Sequence, residues 1–436
     1  MRAFGQGGWL GTGSIGAQLM KHMSMILLVG MAVTRIVSTF AIVKLISEAF
    51  GPEAFGALSH VIGVSAVFYM FAGGGLANGL IRNVAASEDP ASRGDWLRAA
   101  SVISTVTALA LGAFCLVCYL WGGAFILLDP ELAPVFLLIA VTQAVIGLGN
   151  AALAFLSGIG RIGSFAAANA LGSLAAEGLV AGAVQLGGLW GAFLAVATLP
   201  LVPSLLGVVL LGQRFRADVK WPPTTNRHHI IELLKFSGAA LLAIVAVPVV
   251  QAFMRVEMAS DLGWESVGHW QAIARISDAY MQIFGVLFIN LLLPHLARAS
   301  SETRRLVALR MGGVFVGLYL AGTIVYYLLR EQIILIAFSP DFLPATNLLV
   351  TQSIGDLCKI GSWIIVYTYV AGGLLRFQVG AELAQAALTG LVFVLLAPLG
   401  SDDVAVTSHA IACAAVLFGL GIVALMSRYL PSRASA

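Results

Sequence analysis

Runs of about 20–27 mostly apolar residues recur twelve times in this chain, each long enough to cross a bilayer core of about 30 Å. They predict helices over 23–47, 55–81, 97–121, 133–157, 164–186, 188–212, 231–254, 267–293, 309–329, 343–370, 376–397 and 404–427. Lipid offers the backbone no hydrogen-bond partners, so a spanning segment must satisfy its own amides as helix or closed barrel. Stretches alternating apolar with polar residues are absent, which argues against a barrel. Only 10% of the residues are charged, against about 25% in soluble domains, and the mean hydropathy is +0.95. The fold class expected is an all-α polytopic membrane protein.

The 24 Lys and Arg residues set its orientation. With the N-terminus in the cytoplasm, eighteen fall on the inner side: Arg2, Lys21, Arg82, Arg93, Arg98, Arg161, Arg214, Arg216, Lys220, Arg227, Lys235, Arg298, Arg304, Arg305, Arg310, Arg376, Arg428 and Arg433. Two fall outside, Arg255 and Arg330, and four lie within predicted helices, Arg35, Lys44, Arg275 and Lys359. The positive-inside rule therefore places both termini in the cytoplasm. A pI near 8.7 then reflects loop cations near anionic headgroups and does not point to nucleic acid. Residues 1–20 lack the apolar region of a cleavable signal, so the first helix is expected to act as an uncleaved insertion signal.

The longest polar connection, at 213–229, contains Pro222-Pro223 and cannot be helix within lipid. It divides the chain into a cytoplasmic segment 1–22, a first lobe 23–212, a linker 213–230, a second lobe 231–427 and a cytoplasmic tail 428–436. The lobes repeat. A shift of 212 residues brings Gly51 onto Gly263, Glu53 onto Glu265, Gly56 onto Gly268, Ser65 onto Ser277 and Asn78 onto Asn290. Arg93 likewise meets Arg305, Arg98 meets Arg310 and Asp129 meets Asp341. Six helices is an even number, so both halves enter the membrane in the same direction and are related by an axis along its normal. Twelve helices in two pseudo-symmetric six-helix lobes are transporter architecture, with the substrate path expected between the lobes.

A charged side chain at the bilayer centre costs about 2.5–3.5 kcal/mol on insertion scales. Arg35, mid-way along the first helix, has only Met31, Ala32, Ser38 and Thr39 three or four residues away. Such a cation is best placed facing a water-filled cavity or an anion, and its planar fork suits phosphate. Lys44 lies nearer the outer end. Arg275 with Asp278, and Asp356 with Lys359, are each three apart, so each pair can share a helix face and partly neutralise itself. Glu382 lies in the inner half of the eleventh helix. The candidate substrate-binding residues are Arg35, Lys44, Asn78, Arg275, Asn290 and Lys359. Asp278, Asp356 and Glu382 are candidates for ion coupling. Gly73-Gly74-Gly75 removes three side chains in a row and should break or bend the second helix beside protein or water. Cys115 and Cys118 read as small packing residues. The seven His residues, His409 among them, share no ligand spacing, so no metal site is expected. No P-loop occurs, so the chain does not burn ATP itself.

The stretch 50–85 carries Phe50-Gly51-Pro52-Glu53, Gly56, Ala72-Gly73-Gly74-Gly75 and Asn78-Gly79. It resembles the start of the Wzx-type flippases, in particular the lipid III and O-antigen translocases, members of the multidrug/oligosaccharidyl-lipid/polysaccharide exporter superfamily. The motif covers under a tenth of the chain, and the twelve-helix topology extends the agreement. The resemblance implies a V-shaped pair of lobes in the bacterial inner membrane that moves an undecaprenyl-diphosphate-linked oligosaccharide to the periplasmic leaflet. It implies no cofactor, coupling to H⁺ or Na⁺, and membrane lipids, a polysaccharide polymerase and a chain-length regulator as candidate partners. The rival readings are an ion-coupled multidrug antiporter of the same superfamily and a membrane polymerase or ligase. The last is disfavoured by the short external loops.

Overall fold

The computed structural model describes residues 12–121, 126, 130–218, 227–300 and 302–426. The first helical stretch, Thr12–Phe71, would be about 90 Å long if straight. Gly51 divides it at φ 71° and ψ −173°, a conformation that glycine alone adopts cheaply, into α1 (12–50) and α2. Lys44 before the break and Phe55 after it both meet Phe338, which a straight helix would not allow. α2 runs from 52 to Phe71, breaks, and resumes through the turn Gly74–Leu76 into Ala77–Ala86. α3 is Pro90–Leu120, started by Asp89, whose carboxylate accepts from the amides of Ala91 and Ser92 at 3.2 Å. α4 is Pro134–Gly158. Ile162–Val196 is divided at Gly188 into α5 (162–187) and the start of α6, which continues as Leu201–Asp218.

The second lobe retraces this path. Arg227–Leu287 is divided at Gly263 into α7 (227–262) and α8, which passes through a π-turn at Phe288–Leu292 and ends as Leu293–Arg298. α9 is Arg304–Leu328, α10 Leu349–Ala371, α11 Arg376–Leu396 and α12 Val404–Met426. A short helix, Arg330–Ala337, and a turn, Pro340–Leu348, connect α9 to α10. Each of the twelve apolar runs is thus helical. Among the described residues nine stretches are long and apolar enough to span a bilayer. Two of these, Gly30–Phe71 and Leu241–Arg298, each hold two runs, and the shorter Leu201–Gly212 belongs to the remaining one.

Boundaries moved where a glycine, rather than polarity, ends the helix. α1 begins by Thr12, inside the segment 1–22 assigned to the cytoplasm; residues 1–11 lie outside the described residues. The same holds for 219–226 of the linker and for the tail 428–436, while 213–218 and 227–230 are helical. α7 runs on to Gly263, so Arg255 is not in an external loop. It sits two turns inside the helix and is 3% exposed, with its guanidinium against Gly63 of α2.

The repeat is visible in the backbone. Gly51 and Gly263 share a positive φ, as do Gly188 and Gly400, and both pairs are separated by 212 residues. Asp129, matched to Asp341 in sequence, lies outside the described residues. Gly56 and Gly268 meet at the pseudo-axis. A Cβ on Gly56 would collide with the carbonyl oxygen of Trp264, and one on Gly268 with that of Pro52. Position 264 is 52 shifted by 212, so the contact is reciprocal, as across a two-fold interface.

At this end the Phe55 ring packs edge-on to Phe338 and Phe342, with centroids 5.7 and 5.4 Å apart. Lys44 fastens the same seam and does not line the cavity expected of it. Its Nζ donates to the carbonyls of Leu335 at 2.8 Å and Phe338 at 2.6 Å and pairs with Glu48 at 2.9 Å. Those carbonyls close the C-terminus of a short helix, where a cation is favoured. At the arginine-rich end, Leu233 of α7 is buried among Leu76, Leu80 and Trp96 of the first lobe. Cys115 and Cys118 are buried in an apolar cluster with Phe136 and Ile139.

Candidate functional site: a chain of charged cavities

Three cavities follow one another from the seam between α1 and α8 to the arginine-rich end. The first, of about 670 Å³, lies between the lobes and is lined by Arg35 and Thr39 of α1 and by Arg275, Asp278 and Gln282 of α8. Arg35 lies sixteen residues before Gly51 and Asp278 fifteen after Gly263, so each stands about 22–24 Å of helix rise from the Gly51 end. Arg35 is exposed in this cavity, and no carboxylate lies within 4 Å of it among the described residues.

The second cavity, of about 640 Å³, lies inside the second lobe and shares Asp278 with the first. Asp356, Lys359 and His409 complete its charged lining. The third, of about 2040 Å³, shares Lys359 with the second and opens among Asn78, Lys235, Arg376 and Glu382. Seven of the nine charged or amide candidates are therefore strung along one path: Arg35, Arg275, Asp278, Asp356, Lys359, Glu382 and Asn78. Lys44 stands at the seam. Asn290 donates to its own helix, to the Val286 carbonyl at 2.8 Å, within the π-turn, and lines none of the three cavities. Asn78 and Asn290 thus sit at matching irregularities of α2 and α8 but in different surroundings.

The expected pairing of neighbours along a helix is not what the structure adopts. Asp356 is 1% exposed and its partners come from other turns and helices. It accepts from Ser277 Oγ at 2.6 Å, from the Tyr280 hydroxyl, from Gln352 Nε2 at 3.2 and 3.3 Å and from His409 Nε2 at 3.1 Å. Lys359, three residues on, stands instead over the Trp363 ring, 5.7 Å from its centroid. Arg275 and Asp278 share a cavity wall, but no ion pair closes between them within 4 Å among the described residues. An i,i+3 spacing permits a pair only when both side chains lean along the helix; here a neighbouring helix offers Asp356 better donors.

The glycine run breaks the second helix as its sequence predicts. Gly73 has φ 93° and breaks α2 before the Gly74–Leu76 turn, and its amide bonds the Phe71 carbonyl at 2.7 Å. It also allows close packing. A Cβ there would stand 3.0 Å from the Gly147 carbonyl oxygen and 2.9 Å from Ser104 Oγ, and one on Gly75 would stand 2.9 Å from Leu241 of α7.

Three of the ionisable cavity-lining residues are not among the candidates read from the sequence. Lys235 and Arg376 read from the sequence as inner-side cations at the starts of their helices, yet both line the large cavity. His409 lacks metal-ligand spacing, and the signal the sequence does offer is a His within an apolar run. Apart from Arg35, the charge lies in the second lobe: the 212-residue shift places Gly63, Ala66 and Ala197 at the positions of Arg275, Asp278 and His409.

A family model described as "Polysaccharide biosynthesis protein" matches residues 46–347. The lipid III flippases of Escherichia coli (strain K12) and of Shigella flexneri are each 29% identical to this chain over 352 residues, covering 78% of it and 83% of their own length. Among solved structures, an inward-facing multidrug resistance MATE family transporter of the MOP superfamily superposes with a TM-score of 0.69 at 13% identity, over 93% of this chain and 99% of the other. The lipid II flippase MurJ in an inward closed conformation superposes with a TM-score of 0.67 at 13% identity, over 92% and 87%. At that identity the two superpositions establish the fold.

Proposed function

This chain belongs to the polysaccharide biosynthesis protein family, and we propose that it is a flippase for a lipid-linked oligosaccharide. It moves an undecaprenyl-diphosphate-linked unit, an O-antigen repeat or a related one, from the cytoplasmic to the periplasmic leaflet by alternating access. The observation that carries this reading is the path of cavities with Arg35, Arg275, Lys359, Lys235 and Arg376 on its walls. A polar headgroup must cross about 30 Å of hydrocarbon while its polyprenyl tail stays in lipid. Cations along the route offset the diphosphate charge, and arginine does so with a fork that matches phosphate oxygens. Energy comes from an H⁺ or Na⁺ gradient, and a polysaccharide polymerase with its chain-length regulator receives the product.

The antiporter reading needs free carboxylates for a cationic solute. Of the three on the path, Asp356 is already filled by protein donors, and cations outnumber the remaining two. The polymerase reading needs a large external domain, whereas Gly51, Gly188, Gly263 and Gly400 mark tight reversals between helices at that end.

Deletion of the gene in its own host tests the function. Surface polysaccharide should disappear while the lipid-linked unit accumulates facing the cytoplasm. Unchanged surface polysaccharide would contradict the proposal. Orientation is tested by single cysteines in a background lacking the native four. Asp261→Cys should react with an impermeant reagent on intact cells and Pro222→Cys only after lysis; the reverse pattern would invert the topology.

A further inference from the structure

The cluster around Asp356 has the composition of a proton site. An ionised carboxylate offers about four lone-pair positions, and donors from α8, α10 and α12 fill them: Ser277, Tyr280, Gln352 and His409. A hard cation such as Na⁺ needs a shell of oxygen acceptors around the carboxylate. This carboxylate has a shell of donors. Because His409 Nε2–H donates to Asp356, the ring's Nδ1 is left as the position for a further proton. Its near neighbour is the weak partner Cys413 Sγ, 3.7 Å from both ring nitrogens. The close approach of α12 to α10 depends on Gly355, where a Cβ would stand 2.6 Å from His409 Cδ2.

The surroundings balance one proton. α8 presents Asp278 and Tyr280, and α10 presents Asp356, Cys358 and Lys359. α9 adds Tyr319, whose ring lies 5.9 Å from that of Tyr280. α7 and α11 line the cavity with the uncharged Gln251, Gln385 and Thr389. Among the groups lining this cavity, Asp278, Asp356, Lys359 and His409 sum to zero with His409 protonated and to one negative charge with it neutral, so a single proton on the ring sets the charge of the cavity. Asp278 also faces Arg35 and Arg275 across the next cavity, so the proton's charge is felt where the diphosphate would pass.

Resting on the flippase reading, we propose that His409, held against Asp356 in the second lobe, is the group that carries the driving proton: one proton binds at Nδ1 in one arrangement of the lobes and leaves to water in the other.

The test uses the purified full chain in proteoliposomes, with undecaprenyl-diphosphate-linked oligosaccharide extracted from the host as probe. Lipid flipping is timed with a pH gradient, with a Na⁺ gradient and with neither. For the native chain a gradient of about one pH unit supplies about 1.4 kcal/mol per coupled proton and should speed flipping by up to about tenfold, and Na⁺ should not. In His409→Gln the ratio of rates with and without the pH gradient should fall to about one. A retained ratio in His409→Gln, or drive by Na⁺ in the native chain, overturns the proposal while leaving the flippase reading intact. No flipping by the native chain under any condition overturns both. Should His409→Gln fail to fold, a lumenal pH dye with the native chain decides. Proton movement that accompanies added substrate and vanishes in Asp356→Asn supports the site; flipping without proton movement refutes it.

Discussion

Replacing Arg35 with alanine should abolish translocation while leaving the protein in the membrane at near-normal abundance. Its guanidinium is exposed in the inter-lobe cavity and has no carboxylate within 4 Å among the described residues, so little of the fold depends on it. Losing one member of a desolvated charge pair with a diphosphate costs about 2–5 kcal/mol, and each 1.4 kcal/mol is about tenfold. Arg35→Lys should recover only part of the activity, because a point charge replaces a two-pronged donor. The measurement is complementation of the deletion strain alongside membrane abundance. Full activity of Arg35→Ala would remove this residue from the substrate path. Loss of the protein itself would make Arg35 structural.

The second large effect is expected at the pseudo-axis. Gly56→Val and Gly268→Val should each destabilise the protein, because the new side chain meets the backbone carbonyls of Trp264 and Pro52, which cannot swing aside. Overpacking a tight contact costs about 1–3 kcal/mol, and the reciprocal geometry predicts similar losses at the two sites. Gly317→Ala on α9, where a Cβ meets nothing within 4 Å, should stay within about 0.5 kcal/mol of the native chain. Thermal unfolding in detergent measures all three. A large loss at one glycine and none at the other would show that the lobes do not meet symmetrically.

These two cases mark what the chain made legible. The twelve spans could be read because lipid forces continuous apolar runs, and the repeat because Gly51 and Gly263 occupy a backbone conformation that few other residues tolerate. Arg35 was legible because nothing within one turn could neutralise it. Arg255 was not, since a positive-φ glycine rather than a polar loop ends its helix. Lys44 misled because the carbonyls that bind it lie nearly 300 residues away. Asp356 and Lys359 looked like a pair by spacing, but tertiary packing gave the carboxylate His409 and Tyr280 and the lysine an aromatic face. Spacing along one helix says which residues can meet and not which partner wins when five helices converge.

The central claim, movement of a lipid-linked oligosaccharide, is tested most directly by headgroup accessibility in liposomes. Substrate is placed in both leaflets, and a membrane-impermeant glycosidase is added outside. With the reconstituted native chain the protected inner pool should become cleavable, and with Arg35→Ala it should remain protected as in empty liposomes. An inner pool that stays protected with the native chain, in liposomes where a gradient does drive export of small organic cations, would contradict the account and make the protein an antiporter.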